Sequence, residues 1–100
     1  MSTQATAIAS GTGDAQAITA VAGTILLGFS ITENAGTPAA ARVRLHLGTD
    51  NTGTELFDVT LAASESVREW FGASGPDIST GLYMDRVSGT TRLTIYTRRF

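Results

Sequence analysis

Apolar and polar residues alternate with a period of two along most of this chain, the spacing of a strand with one face buried and one face wet. The pattern is most legible in residues 78–98. Ser88 and Gly89 separate two alternating runs, and a two-residue turn there predicts a β-hairpin. In it Val87 faces Thr90, Asp85 faces Arg92, Met84 faces Leu93, Tyr83 faces Thr94 and Leu82 faces Ile95. That register puts Leu82, Met84, Leu93 and Ile95 on one apolar face, while Asp85 and Arg92 meet as opposite charges on the other.

Four other runs read the same way. Ile25, Leu27, Phe29 and Ile31 alternate with Thr24, Leu26, Gly28, Ser30 and Thr32, which predicts a central strand. Ala41, Val43, Leu45 and Leu47 alternate with Arg42, Arg44 and His46, so the outer face of that strand is basic and is either solvated or turned to a partner. Residues 48–53 carry turn formers at every position and predict a hairpin reversal into a returning strand with Phe57, Val59 and Leu61 inside. Residues 62–65 are a second reversal. Residues 66–71 can be drawn as the end of a short helix, but Gly72, Gly75 and Pro76 follow at once and favour a strand. At the other end, residues 15–22 are compatible with a first strand. Residues 1–14 hold a single isoleucine, Ile8, among Ser, Thr, Ala and Gly, and are expected as a flexible N-terminal arm beside one domain over residues 15–100.

Turn signals recurring about every eight to twelve residues, with no helical runs between them, predict an all-β fold. The expectation is an antiparallel β-sandwich, jelly-roll or Ig-like, or a small barrel, of about seven to eight strands. Its core would come from Ile25, Leu27, Phe29, Ile31, Val43, Leu45, Leu47, Phe57, Val59, Leu61, Leu82, Met84, Leu93 and Ile95.

Composition narrows the function. One hundred residues make one modest core. A net charge of −2 speaks against a general phosphate-neutralising surface, so no nucleic-acid partner is expected. No apolar run approaches the roughly 20 residues needed to span a bilayer, and the N-terminus has no basic-then-apolar leader, so no membrane partner or secretory signal is expected. The chain has no cysteine, which removes disulfides and thiolate metal sites. Sixteen threonines suit a half-buried pleated surface.

Candidate chemistry is sparse. His46 is the one histidine, with no nucleophile or orienting carboxylate at a telling spacing, and is expected to be solvated or at an interface. Asp50, Asn51 and Glu55 invite a calcium reading, but their spacing misses the EF-hand pattern and an Asx turn explains them better. Ser64, Ser66 and Ser74 lack a nucleophile-elbow setting, and the Gly-Thr-Gly at Gly11 and Gly13 precedes no helix. No catalytic residue, cofactor or metal is expected. Trp70 and Phe71 are adjacent, so a strand can bury one and leave the other free to stack on a sugar ring or anchor an interface.

The order of motifs carries one resemblance. Residues 39–47 (Ala-Ala-Ala-Arg-Val-Arg-Leu-His-Leu), 48–55 (Gly-Thr-Asp-Asn-Thr-Gly-Thr-Glu), 61–72 ending Glu-Trp-Phe-Gly, 81–87 (Gly-Leu-Tyr-Met-Asp-Arg-Val) and Ser88-Gly89 before 93–96 resemble small structural proteins of tailed bacteriophages encoded among head genes. The resemblance implies a virion component, a capsid decoration protein made in the host cytoplasm that binds the major capsid protein on the outside of the head and forms a homotrimer. Its interface would draw on Thr6 and Ile8 of the arm, Arg42, Arg44, Trp70, and the terminal Arg98, Arg99 and Phe100. A head fibre or tail protein is the nearest alternative. A carbohydrate-binding sandwich using Trp70, Tyr83 or Tyr96 is another, and an enzyme comes last.

Overall fold

A computed structural model of the chain describes residues 3–99. Eight strands follow one another: β1 (Thr3–Gly11), β2 (Ala15–Ile18), β3 (Thr24–Glu33), β4 (Ala41–Leu47), β5 (Glu55–Leu61), β6 (Ser66–Trp70), β7 (Leu82–Ser88) and β8 (Thr91–Arg99), with one short 3-10 turn, Gly72–Ser74, after β6. They form two four-stranded antiparallel sheets, A in the order β1-β8-β3-β6 and B in the order β2-β7-β4-β5. The pairs 4·5, 3·6, 2·7 and 1·8 are nested, as in one long antiparallel ribbon folded at the 48–53 turn and rolled up. This is the jelly-roll version of the expected sandwich.

The expected turn at residues 48–53 is present, and it is the innermost link of that ribbon. Leu47 N–H donates to Thr54 O at 2.8 Å, and Asp50 Oδ1 accepts from its own turn, from Thr52 N at 3.0 Å and Thr52 Oγ1 at 2.6 Å. Residues 66–70 are a strand, as expected, and pair with β3.

The expected hairpin at 88–89 does not form. Strands β7 and β8 lie in different sheets: Met84 is opposite Ala15 and Leu45, whereas Leu93 is opposite Ile8 and Ile31. Leu82, Met84, Leu93 and Ile95 are all fully buried, as the alternation predicts, but they meet across the sandwich rather than side by side. A crossing between sheets and a hairpin bury the same alternate residues, which is why the pattern could not separate them. Gly89 makes the crossing possible. Its φ is +79°, and a Cβ there would sit 2.5 Å from the Cβ of Ala41.

A second departure is in β3. Its pairing with β8 shifts between Leu26 and Gly28, so Leu27 is an extra, bulged residue. The bulge reverses the parity upstream: Leu26 is fully buried in the core in place of Ile25, while Phe29 and Ile31 keep their expected places. Ala17, Ile18, Ala41 and Ile78 join them in the core. At the β5·β6 side the two sheets are bridged by rings, Phe29 to Phe57 at 5.1 Å and Phe57 to Phe71 at 5.3 Å between centroids.

The expected arm is instead an edge strand. Thr3 to Ile8 run in register with Arg98 to Leu93, and the far end of β1 is held by Arg86, which donates to Ala9 O at 2.6 Å, Gly13 O at 2.9 Å and Thr91 O at 2.9 Å. Backbone pairing to β8 does not need apolar side chains, so composition alone underrated this segment. Another clasp joins the reversals. Glu33, 3% exposed, accepts from Ala35 N at 2.9 Å and Ser64 N at 2.6 Å, and these amide hydrogen bonds, Ser64 foremost, hold its carboxyl below the usual range.

Candidate functional site

The two sheets present outer faces of different chemistry. On sheet B, the alternation of β4 turns Arg42, Arg44 and His46 away from the core, and register brings acids opposite them: Arg44 pairs with Asp58 on β5 and Asp85 on β7. Arg42 makes a two-point contact with Asp58, Nε to Oδ1 at 2.9 Å and a terminal nitrogen to Oδ2 at 2.5 Å; Arg44 Nε is 3.2 Å from Glu55 and 3.7 Å from Asp58. The Arg42 guanidinium holds the Asp58 carboxyl below its ordinary value. His46 is 5% exposed, a correction to its expected solvation: its Nδ1 lies 3.0 Å from Gly53 O and its Nε2 3.7 Å from Asp85. The bulge between Leu45 and His46, at the mouth of the hairpin, folds the turn over the ring.

On sheet A the outward row is aromatic, basic and hydroxylic. Gly28 of β3 is opposite Trp70 of β6 on one side and Tyr96 of β8 on the other. Having no side chain, it leaves room for both rings. A Cβ at Gly28 would come within 2.7 Å of the indole Cε3, and the Trp70 and Tyr96 ring centroids are 6.0 Å apart, edge to face. One step along, Ser30 is opposite Arg68 and Thr94; one further, Thr32 is opposite Ser66, with their hydroxyls 2.9 Å apart, and Arg92. Trp70 is 64% exposed, the most exposed large apolar side chain among the described residues. Beside it lies an open concavity of about 460 Å³ lined by Phe29, Ser30, Arg68, Glu69, Trp70 and Tyr96. Arg92 and Arg98 share the outward parity of Tyr96 on β8. Neither Arg68 nor Arg92 forms an ion pair among the described residues.

The expected interface residues therefore do not form one patch. Trp70 and Arg98 are on the outer face of sheet A. Thr6 and Ile8 take the inward parity of β1, opposite Ile95 and Leu93, and Ile8 packs against the core. Arg42 and Arg44 are engaged with Asp58 and Glu55 on the opposite side. Arg99 is half-buried at the end of β8, opposite Thr24, and Phe100 lies outside the described residues. Of the three aromatics nominated for sugar stacking, Trp70 and Tyr96 come together, while Tyr83 is in sheet B with its hydroxyl 3.4 Å from Asp14. Arg68, Glu69, Ser30 and Gly28 were missed. Their strand parity was readable, but that β3 lies between β6 and β8 was not.

The arrangement is suited to recognition. It offers a ring face, a guanidinium fork and a hydroxyl around an open hollow. Among the described residues no group of three His, Cys, Asp or Glu side chains is placed to hold a metal ion, and no helix is long and apolar enough to cross a membrane. Compared with models of known protein families, with curated proteins and with solved structures, the chain matches none.

Proposed function

We propose that this chain is a docking component of a bacteriophage virion, a decoration protein that attaches to the outer surface of the capsid through the outer face of sheet A, with Trp70 as its anchor. The virion assignment is supported by the motif order over residues 39–96 and its likeness to head-gene structural proteins. The observation that carries the docking reading is Trp70, 64% exposed on a folded sheet and flanked by Tyr96 and Arg68. Trp, Tyr and Arg are the residue types that dominate interface hot spots, where truncating one costs about 2 kcal/mol or more. Bridging capsid subunits would stabilise the shell by mass action, since the bound state exists only on the assembled form.

The test is co-pelleting with capsids that lack the protein. Trp70→Ala weakens attachment about 30-fold or more, the equivalent of 2 kcal/mol, while Arg42→Ala on sheet B leaves it unchanged. Equal pelleting of wild type and Trp70→Ala would remove this face from the argument.

A second reading rests on the hollow itself. About 460 Å³ is within the size range of small-ligand pockets, and Arg68 and Ser30 supply donors and an acceptor for sugar hydroxyls beside a stacking indole. A glycan array that gives a Trp70-dependent hit, from a protein that ignores capsids, would put this carbohydrate-binding reading first.

A further inference from the structure

The four edges of the two sheets are guarded unequally. Solvent-facing edge strands invite pairing with another chain, and proteins blunt them by shortening them or placing charge or proline in them. Strand β2 has four residues; β5 carries Glu55 and Asp58; β6 has five residues and carries Arg68 and Glu69. Strand β1 has none of these devices, and its pairing with β8 is regular from Thr3 to Ile8, shifting only between Ile8 and Gly11. It runs nine residues, Thr3–Gly11, without a charged residue or a proline, and it pairs on the β8 side alone. Ala5 and Ala7, opposite Tyr96 and Thr94, are exposed, while Thr6 and Ile8, over the core, are half-buried.

We propose that β1 is a self-recognition edge: two copies of this chain pair β1 to β1, antiparallel about a twofold axis, and join their A sheets into one continuous eight-stranded sheet. A second copy fits because the strand is its own complement. With no charge anywhere from Thr3 to Gly11, no register sets like charges against each other, and the outward row of Thr and Ala raises no bulk between the strands. The pairing satisfies the alternate N–H and C=O groups that β1 turns away from β8. Antiparallel pairing across a twofold axis keeps the outer faces of both A sheets on the same side. The dimer therefore displays two Trp70 hollows in one direction, a bivalent surface. This association is twofold, unlike the trimer implied by the resemblance, and it does not depend on what occupies the hollow.

Sedimentation velocity over a wide concentration range tests the idea, together with amide hydrogen exchange at low and high concentration. The wild-type chain is expected to sediment as monomer and dimer in equilibrium, with β1 amides gaining protection as concentration rises and β6 amides not. Ala5→Lys combined with Ala7→Lys raises the dimer dissociation constant by about ten-fold or more, because the lysines of the two strands oppose each other. Thermal unfolding at low concentration reports whether the variant folds, since both alanines are exposed. A monomer at every concentration, a trimer, a dimer without β1 protection, or a chain that takes up only a foreign strand at β1 overturns the proposal.

Discussion

The outer faces of sheets A and B are built from the same rule, alternate residues turned outward, and both contain arginine, yet they end with opposite character. On B, Arg42 and Arg44 lie beside strands that turn Glu55 and Asp58 to the same side, and the charges neutralise one another. On A, Arg68 and Arg92 lie across from Ser30 and Thr32, and the middle of the face is a glycine flanked by Trp70 and Tyr96. A strand's exposed residues thus acquire their character from the strand next door: B is closed on itself, and on A neither Arg68 nor Arg92 has an ion-pair partner among the described residues.

The largest blow to this contrast should come from Arg86, the cation on β7 of sheet B that reaches β1 and β8 of sheet A. Removing its side chain by Arg86→Ala deletes three hydrogen bonds to carbonyls of Ala9, Gly13 and Thr91, at a cost of about 2–4 kcal/mol in urea unfolding. Amide exchange should then quicken first in β1, so that face A loses its edge while B stays intact. Uniform loss of protection in both sheets would mean that Arg86 is no clasp between them.

Gly28→Ala is expected to have a smaller effect, confined to A. The added methyl would lie 2.4 Å from Glu69 O and 2.7 Å from the indole of Trp70, so β6 and its ring must shift, costing roughly 1–3 kcal/mol. Tryptophan fluorescence should change with it, since Trp70 is the chain's one tryptophan. An unchanged spectrum and an unchanged stability would show that Gly28 is not what seats the ring.

The smallest effect belongs to B and to acid. The folded-state pKa of Asp58 is depressed by Arg42, so its contribution is present above the unfolded value, about 3.9, and is lost as pH falls through the folded one. Below about pH 4 the wild-type melting temperature should therefore fall. Asp58→Asn should flatten that fall in part, leaving the share of Glu33, which is depressed by the amides of Ser64 and Ala35. A melting profile identical to wild type through the acid range would show the Arg42 contact to be inconsequential.

Residues 1–14, expected as a flexible arm, include the edge strand β1. Their removal strips the strand that covers the Leu93 and Ile95 side of β8, and should lower stability as well as any association. Of the fourteen residues that alternation places in the core, Leu27, Phe29, Ile31, Val43, Leu45, Leu61, Leu82, Met84, Leu93 and Ile95 are buried, and Leu47, Phe57 and Val59 pack partly buried against them. It failed at Ile25 because a single bulged residue inverts parity, and it was silent on β1 because that strand is held chiefly by its backbone.

The order of side chains by itself determined most of the residues that turn inward, where the chain reverses at 48–53, and that the product is all-β, a sandwich or a small barrel, since burial of apolar side chains is a local, period-two property of the sequence. Apart from the β4·β5 hairpin, which strands lie side by side was decided only by the tertiary structure. Every strand offers the same N–H and C=O ladder, and the choice between neighbours is made when two faces are packed against each other all at once. That choice sent Met84 and Leu93 to opposite sheets, and it brought Trp70, Gly28 and Tyr96 into the single row on which the proposed docking face depends.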